Sequence, residues 1–342
     1  MGKLMKLIVL AMVLALVAAA CSSDDDATST LDTVKDRDSL ICGVNDVLPG
    51  FGVVDDAGDF SGFDIEFCKV VAAAVLGDAN KVEYVPLTAE ARFTALQSGE
   101  IDVLIRNTTW TGTRDGQEGG TFLFTLYFDG QGMMVPASTG WTELEDLQDA
   151  NICVLSGTTT ELNLTAVLTA RGIDFTPVVF ADNSTLRPAY EEGQCDAWTS
   201  DASQLGAFKF TMENEGVEEQ HIMGEIFSKE PLGPVVRDGD SAWAQAVEWA
   251  VMSTVQAWEF ELDSSNIASY SGTDPNVLNF VGGLDPSLGL PSDFAVQAVS
   301  QVGNYAEIYN RFPEVAGAAL EGSVNDLWSN GQGGLMYVPP YR

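Results

Sequence analysis

The sequence predicts an α/β protein of two similar lobes, each a mixed, mostly parallel sheet flanked by helices, joined by two crossover strands. Three observations lead there. A β-α-β-α-β succession occurs early in the chain and again after residue 150, the pattern of a parallel sheet covered by helices. Both successions share one punctuation, in which a helix is followed by Gly99-Glu-Ile-Asp102 or Gly193-Gln-Cys-Asp196 and then a buried strand. Two short extended apolar segments containing Gly and Pro, 130–136 and 232–237, stand where the chain would cross between lobes.

In order, Ser39 to Val44 is β-like. Gly62 to Leu76 carries apolar residues at helical spacing, including Phe63, Phe67, Val70, Val71 and Val75. Lys81 to Leu87 reads as a strand, Thr88 as the N-cap of a helix through Ser98, and Gly99 as its stop. Ile101 to Ile105 is a buried strand. The second round runs through a strand at Asn151–Leu155 and a helix beginning near Glu161 with Thr158 or Thr159 as cap. A strand at Phe175–Phe180, a helix at Ser184–Glu192 and a strand at Cys195–Thr199 follow. Ser241–Phe260 and Pro291–Tyr309 read as helices, and the Gly-rich end as irregular with one more helix near Val324. Two crossings build lobe one from 35–131 and 235–342 and lobe two from 132–234.

Composition narrows the function. The 342 residues include 50 Asp and Glu against 16 Lys and Arg, a net charge of −34. Nucleic-acid binding needs a basic face, and docking on anionic lipid needs a polybasic patch, so both are excluded. At 46% hydrophobic residues, this length supports about two domains with cores of their own.

Lys3 and Lys6 precede an apolar run from Leu7 to Ala20, so 1–20 reads as an export signal peptide. Cys21 after Ala18-Ala19-Ala20 resembles a bacterial lipobox, with Ala18 where that pattern usually has Leu. Lipidation at Cys21 is expected, and ordinary cleavage near Ala20 is the alternative. Residues 21–34 read as a polar, flexible tether. Four further cysteines, Cys42, Cys68, Cys153 and Cys195, allow three pairings in an exported chain. Pairing within lobes, 42–68 and 153–195, leaves the crossovers free to move, whereas pairing between lobes would lock them.

Enzyme signatures are sparse. His221 is the one histidine, no His/Cys cluster has zinc spacing, and no phosphate loop occurs. Catalytic residues, metal ligands and cofactors are therefore not assigned. The cations are informative by position. Removing Lys3 and Lys6 with the leader leaves 14 of the 16 Lys and Arg, and Arg92, Arg106 and Arg114 fall in one strand–loop region. Guanidinium takes a carboxylate through two parallel hydrogen bonds, and open parallel sheets bind ligands beyond their strands' C-terminal ends. Arg106-Asn-Thr-Thr-Trp-Thr111 brings short hydrogen-bonding side chains to that end. Gly157-Thr158-Thr159-Thr160-Glu161 at a helix start is either an anion site or a plain capping box. Asp201, at the end of another strand, either accepts an ammonium or caps the next helix.

Together these segments resemble the solute-binding proteins of polar amino-acid ABC importers, and closely their general L-amino-acid-binding branch. The matching stretches are 92–102, 106–111, 157–164, Glu230-Pro-Leu-Gly-Pro-Val-Val-Arg237 and Tyr337-Val-Pro-Pro-Tyr-Arg342. The resemblance implies the type II periplasmic-binding fold. It implies a free L-amino acid held between lobes that close on it, and delivery to ABC transporter permease subunits by a monomer. It implies Arg114 as the carboxylate clamp, with Thr109, Thr158 and Thr159 assisting. Asp201, helped by the Asn107 carbonyl, would hold the ammonium. Leu48 and Phe51 would face the ligand side chain, and Arg92 and Arg106 would favour acidic or amide side chains. The chain departs from the family at Leu48, where an aromatic is usual. Cyclohexadienyl dehydratases share the fold, and Glu161 is the carboxylate such chemistry would use. A ligand-sensing partner of a receptor is the other alternative.

Overall fold

The computed structural model describes residues 29–282, 286–316 and 319–341. The signal peptide read over 1–20 and the lipidation site Cys21 lie outside the described residues. Of the tether read over 21–34, residues 21–28 lie outside the described residues and Thr30–Arg37 is a helix, α1. Asp240 is the reason. Its carboxylate accepts from Thr30 N–H at 2.6 Å and from Ser29 Oγ at 3.0 Å, while also capping a later helix at Trp243 N–H, 3.0 Å.

After α1 come β1 (Leu40–Val44), β2 (Val47–Leu48), β3 (Gly52–Val54), β4 (Phe60–Ser61), α2 (Phe63–Leu76), β5 (Val82–Pro86), α3 (Arg92–Ser98), β6 (Val103–Leu104), α4 (Gly112–Gln117), β7 (Gly120–Phe122) and β8 (Tyr127–Asp129). The middle of the chain forms β9 (Gln131–Pro136), β10 (Ala150–Leu155), α5 (Thr159–Arg171), β11 (Phe175–Phe180), α6 (Asn183–Glu191), β12 (Ala197–Asp201), α7 (Ala202–Asn214) and β13 (Gln220–Ile222). It returns through β14 (Glu230–Leu232) and β15 (Val235–Arg237) to α8 (Ser241–Glu259), α9 (Pro275–Gly282), α10 (Phe294–Val302), α11 (Tyr305–Arg311) and α12 (Pro313–Ala316).

Each lobe has one five-stranded sheet, ordered β5-β1-β6-β15-β7 and β11-β10-β12-β9-β13. The first three strands of each are parallel, and the fourth is antiparallel to its neighbours. That fourth strand is the one entering straight from a crossing. The crossings lie slightly earlier than the segments expected for them: 130–136 and 232–237 mostly form the sheet strands β9 and β15. The chain crosses on an antiparallel ribbon of β8 and β14, with Asp129 opposite Glu230.

The Gly-x-x-Asp rhyme has a physical basis. Asp102 Oδ2 accepts from Ile41 N–H at 2.7 Å, and Asp196 Oδ2 accepts from Asn151 N–H at 2.8 Å. Each aspartate thus pins the start of its lobe's central strand. Alternation then sorts side chains to two faces. On β10, Ile152 and Val154 join one buried cluster with Leu164 and Leu168, while Cys153 and Leu155 join another. Disulfides join Cys42 to Cys68 and Cys153 to Cys195, each inside one lobe.

Three helix expectations need correction. Thr88 does not cap α3: its Oγ1 accepts from Ala91 N–H in a turn, and the helix begins only at Arg92. The helix expected over 291–309 is two, because Gly303 (φ 118°) leaves helical space and Asn304 opens α11 with a reciprocal cap to Glu307. Near Val324 there is no helix, only a short 3-10 turn at Trp328–Asn330.

Candidate ligand-binding site

The site is built where the parallel strands of both sheets end. In lobe one, the chain leaves β6 through Arg106 and Asn107. Arg106 Nε donates to the Leu87 carbonyl at 2.7 Å, tying this exit to the exit of β5. Asn107 has φ 33°, a left-handed conformation that a non-glycine residue adopts only under constraint. The constraint is Asp64 in the first turn of α2, whose Oδ2 accepts from Asn107 N–H at 2.7 Å. Burial pushes the Asp64 carboxyl up to about 7, against the Asn107 bond and the Arg106 charge. Asn107 Oδ1 accepts from Asn45 and Arg106, each at 3.4 Å, which aims its Nδ2 at Asp201 Oδ2 in lobe two, 3.4 Å away.

Arg92, Arg106 and Arg114 are each at most 6% exposed, and none forms an ion pair among the described residues. Arg92 and Arg114 lie over the Phe93 ring, both guanidinium carbons 5.6 Å from its centroid. Arg114 Nη1 donates to the Thr109 carbonyl at 2.9 Å, and its Nη2 to the Gly157 carbonyl of lobe two at 3.4 Å. Arg92 Nη2 is 3.5 Å from the same oxygen, and its buried Nε has no partner. Burial lowers the affinity of all three for their protons; for Arg92 the neighbouring guanidiniums add to this, and Arg106 is brought down to about 10. Cations so buried and unpaired favour an incoming anion.

In lobe two, Gly157 (φ 69°) turns the chain from β10 into α5. A side chain there would meet the Glu90 backbone of lobe one at 3.0 Å, so the lobes come together closely at this turn. Thr158 is the N-cap, accepting from Glu161 N–H at 3.1 Å, and Glu161 Oε2 reaches back to Gly157 N–H at 3.0 Å. Asp201 occupies the N-cap position of α7 but makes no capping bond. Its side chain turns instead to the Asn107 amide. Burial raises the Asp201 carboxyl well above its ordinary range, helped by Asp129 and Glu230 and opposed by Asn107 and Arg92.

These groups line a small cavity between the lobes. Of the residues expected at a site, Arg92, Arg106, Asn107, Thr109, Thr158, Thr159 and Asp201 line it. Arg114 stands behind the wall, bracing Thr109 against Gly157. Asn107 meets Asp201 through its side-chain amide rather than its carbonyl. Leu48 and Phe51 do not line this cavity; both are buried, and Phe51 packs edge-on against Phe63 and Tyr127. The short strand β2 carrying Leu48 packs against α6 and α7 of the other lobe. Sequence reasoning missed Ala89, Leu155, Thr160, Ser200 and Gln204. Leu155 and Ser200 were findable, since both sit at C-terminal ends of sheet strands. The cavity thus has a cationic wall and one carboxyl facing it across the cleft, the pattern for a small solute bearing both signs.

The model of the bacterial extracellular solute-binding proteins, family 3, matches residues 40–313. The chain belongs to this family. Relatives match over nearly its whole length. The chain is 44% identical to the glutamate/glutamine/aspartate/asparagine-binding protein BztA of Rhodobacter capsulatus, over 96% of each chain. It is 42% identical to the general L-amino acid-binding periplasmic protein AapJ of Rhizobium johnstonii, over 100% of this chain and 99% of that one. A solved ABC-transporter periplasmic binding protein from Brucella ovis with glutathione bound superposes with a TM-score of 0.86 at 40% identity, covering 92% of this chain and 100% of that one. No described helix is long and apolar enough to cross a membrane.

Proposed function

We propose that this family-3 chain is the extracytoplasmic substrate-binding component of an ABC importer. It captures free L-amino acids between its lobes and delivers them to the permease subunits. One observation carries the reading: two buried guanidiniums without ion-pair partners, Arg92 and Arg106, line a cavity between the lobes together with Asp201, and a third, Arg114, stands behind its wall. An amino acid brings the opposite charges. In this reading Arg114 holds the α-carboxylate by giving up its bonds to the Thr109 and Gly157 carbonyls, with Thr109 and the Thr158–Thr159 turn assisting, and Asp201 with Asn107 holds the ammonium. Arg92 and Arg106 then face the ligand side chain and favour a carboxylate or amide there. The binding range that BztA's name gives supports this preference. Because the two poles sit on different lobes, full pairing of the zwitterion requires closure, so ligand drives the lobes together. The lobes are taken as 35–131 with 235–342, and 132–234. The monomer works in the periplasm or at the outer face of the cytoplasmic membrane, where a lipid anchor at Cys21 would hold it. The dehydratase alternative needs a free carboxylic acid beside the anion turn, and Glu161 is occupied by Gly157 N–H; the chain is therefore read as a binder and not an enzyme.

Thermal unfolding of ligand-stripped protein against the twenty L-amino acids tests this. Ligand at about 100 Kd adds roughly 2.7 kcal/mol, enough to raise Tm by several degrees. The largest shifts are expected with glutamate, glutamine, aspartate and asparagine. Asp201→Ala should fold yet show no shift with any of them. A folded wild-type protein that no amino acid stabilises would overturn the reading.

A further inference from the structure

Glu230 lies on the crossover strand β14 and is only 1% exposed, with no ion pair among the described residues. Its carboxylate is satisfied by neutral donors instead. Oε2 accepts from Thr159 Oγ1 at 2.8 Å, and Oε1 accepts from Asn163 Nδ2 at 2.9 Å and from Ser228 Oγ. A carboxylate only accepts, so the single hydroxyl proton of Thr159 points at Glu230. Thr109 Oγ1, on the opposite lobe, lies 3.3 Å from Thr159 Oγ1. With the Thr159 proton committed, Thr109 must be the donor in that contact.

The neighbouring hydroxyls are committed as well. Thr158 Oγ1 donates to the Leu155 carbonyl at 2.7 Å, and Thr160 Oγ1 donates to Thr158 Oγ1 at 2.9 Å. No hydroxyl of the Thr158–Thr160 run has a proton left for an anion. The turn can assist a carboxylate only through its backbone N–H groups, which have no intrahelical partner in a helix's first turn.

We propose that Glu230 is a positioning residue of the binding site: it fixes the Thr159 hydroxyl as an acceptor facing Thr109, so the lobe-bridging contact runs one way, Thr109 to Thr159 to the crossover carboxylate. A chain of aligned hydrogen bonds ending on a charge is mutually strengthening. The amino-acid site thereby feels the crossover strand directly, and Glu230 acts on ligand affinity without touching ligand. This role rests on the functional reading above.

Calorimetric titration with L-glutamine and L-glutamate tests it through a mutant cycle. Glu230→Gln introduces an amide able to donate toward Thr159, and should weaken binding about tenfold or more. Thr159→Val should weaken it similarly, and Thr159→Ser, which keeps the hydroxyl, should weaken it less. If Glu230 acts through Thr159, the E230Q/T159V double variant binds no worse than the weaker single variant. The proposal is overturned by E230Q affinity within about twofold of wild type, or by a double variant whose loss is the product of the single losses. Should E230Q lack a cooperative thermal transition, Thr109→Val and Thr159→Val decide: non-additive losses support the chain and multiplicative losses overturn it. A wild-type protein that binds neither ligand, nor any other L-amino acid, defeats the functional reading itself, an outcome distinct from a binding wild type with an indifferent E230Q.

Discussion

Asn107 shows how one residue can organise a site. Its left-handed backbone is held from below by Asp64, and its side chain reaches Asp201 on the other lobe. Two titrations follow from this arrangement. Asp64 has its folded pKa raised from 3.8 to about 7, so the folded state holds a proton that the unfolded state has released. Stability must then fall as pH rises between about 4 and 7. Asp64→Asn keeps an acceptor for Asn107 N–H and removes the titration. Its unfolding temperature, measured without ligand, should gain on wild type across that window; parallel curves would discard the argument. Asp201, also raised by burial, must ionise to hold an ammonium. Binding should therefore release protons and tighten as pH rises, and titrations in buffers of different ionisation enthalpy will measure the release. Asp201 also marks what residue-level reading left open. As a strand-end residue before a helix it suited capping and ligand binding equally, and only the position of Asn107 turned its carboxyl from the one to the other.

At the scale of elements, the β8–β14 ribbon has unusual edges. Phe128 is opposite Pro231, which has no N–H to give. The Pro231 carbonyl accepts from Trp110 N–H at 2.8 Å, on the loop that carries Asn107 and Thr109. On the other edge, Asn325 takes both groups of Phe128, accepting from its N–H at 2.7 Å and donating to its carbonyl at 3.2 Å. Asn325 thus stands in for a missing strand, and it belongs to the segment beyond residue 313, where the family match ends. Asn325→Ala should orphan two backbone groups and cost about 2 kcal/mol. A thermal midpoint unchanged from wild type would show that the brace is unimportant. The local pattern reveals α2 and α5 because their apolar spacing and caps lie within each element. It hides this ribbon, since three-residue strands carry too little periodicity to stand out.

For the whole molecule, charge and site oppose each other. A chain of net charge −34 carries a cavity walled by buried arginines. Long-range repulsion should slow an anionic ligand's approach and weaken with salt, while a zwitterion without net charge feels little of it. Stopped-flow association of L-glutamate should therefore speed up with ionic strength, while that of L-glutamine stays level. A glutamate rate that falls with salt would mean that the cavity's cations dominate the field outside it.

Much of this protein could be read from its sequence alone. The doubled α/β succession, the aspartates that start each central strand and the strand-end arginines arise from short-range rules. Periodicity, caps and strand ends act over a few residues, and neighbours in the chain are enough to express them. Tertiary structure decided where side chains at those ends point. Leu48 and Phe51 are buried, Asp201 turned to a residue 94 positions away, and Glu230 accepts a hydrogen bond from a hydroxyl 71 positions away. Such choices depend on which groups distant segments bring within hydrogen-bond reach. In a buried cleft between two lobes, most polar atoms find their partners across that distance.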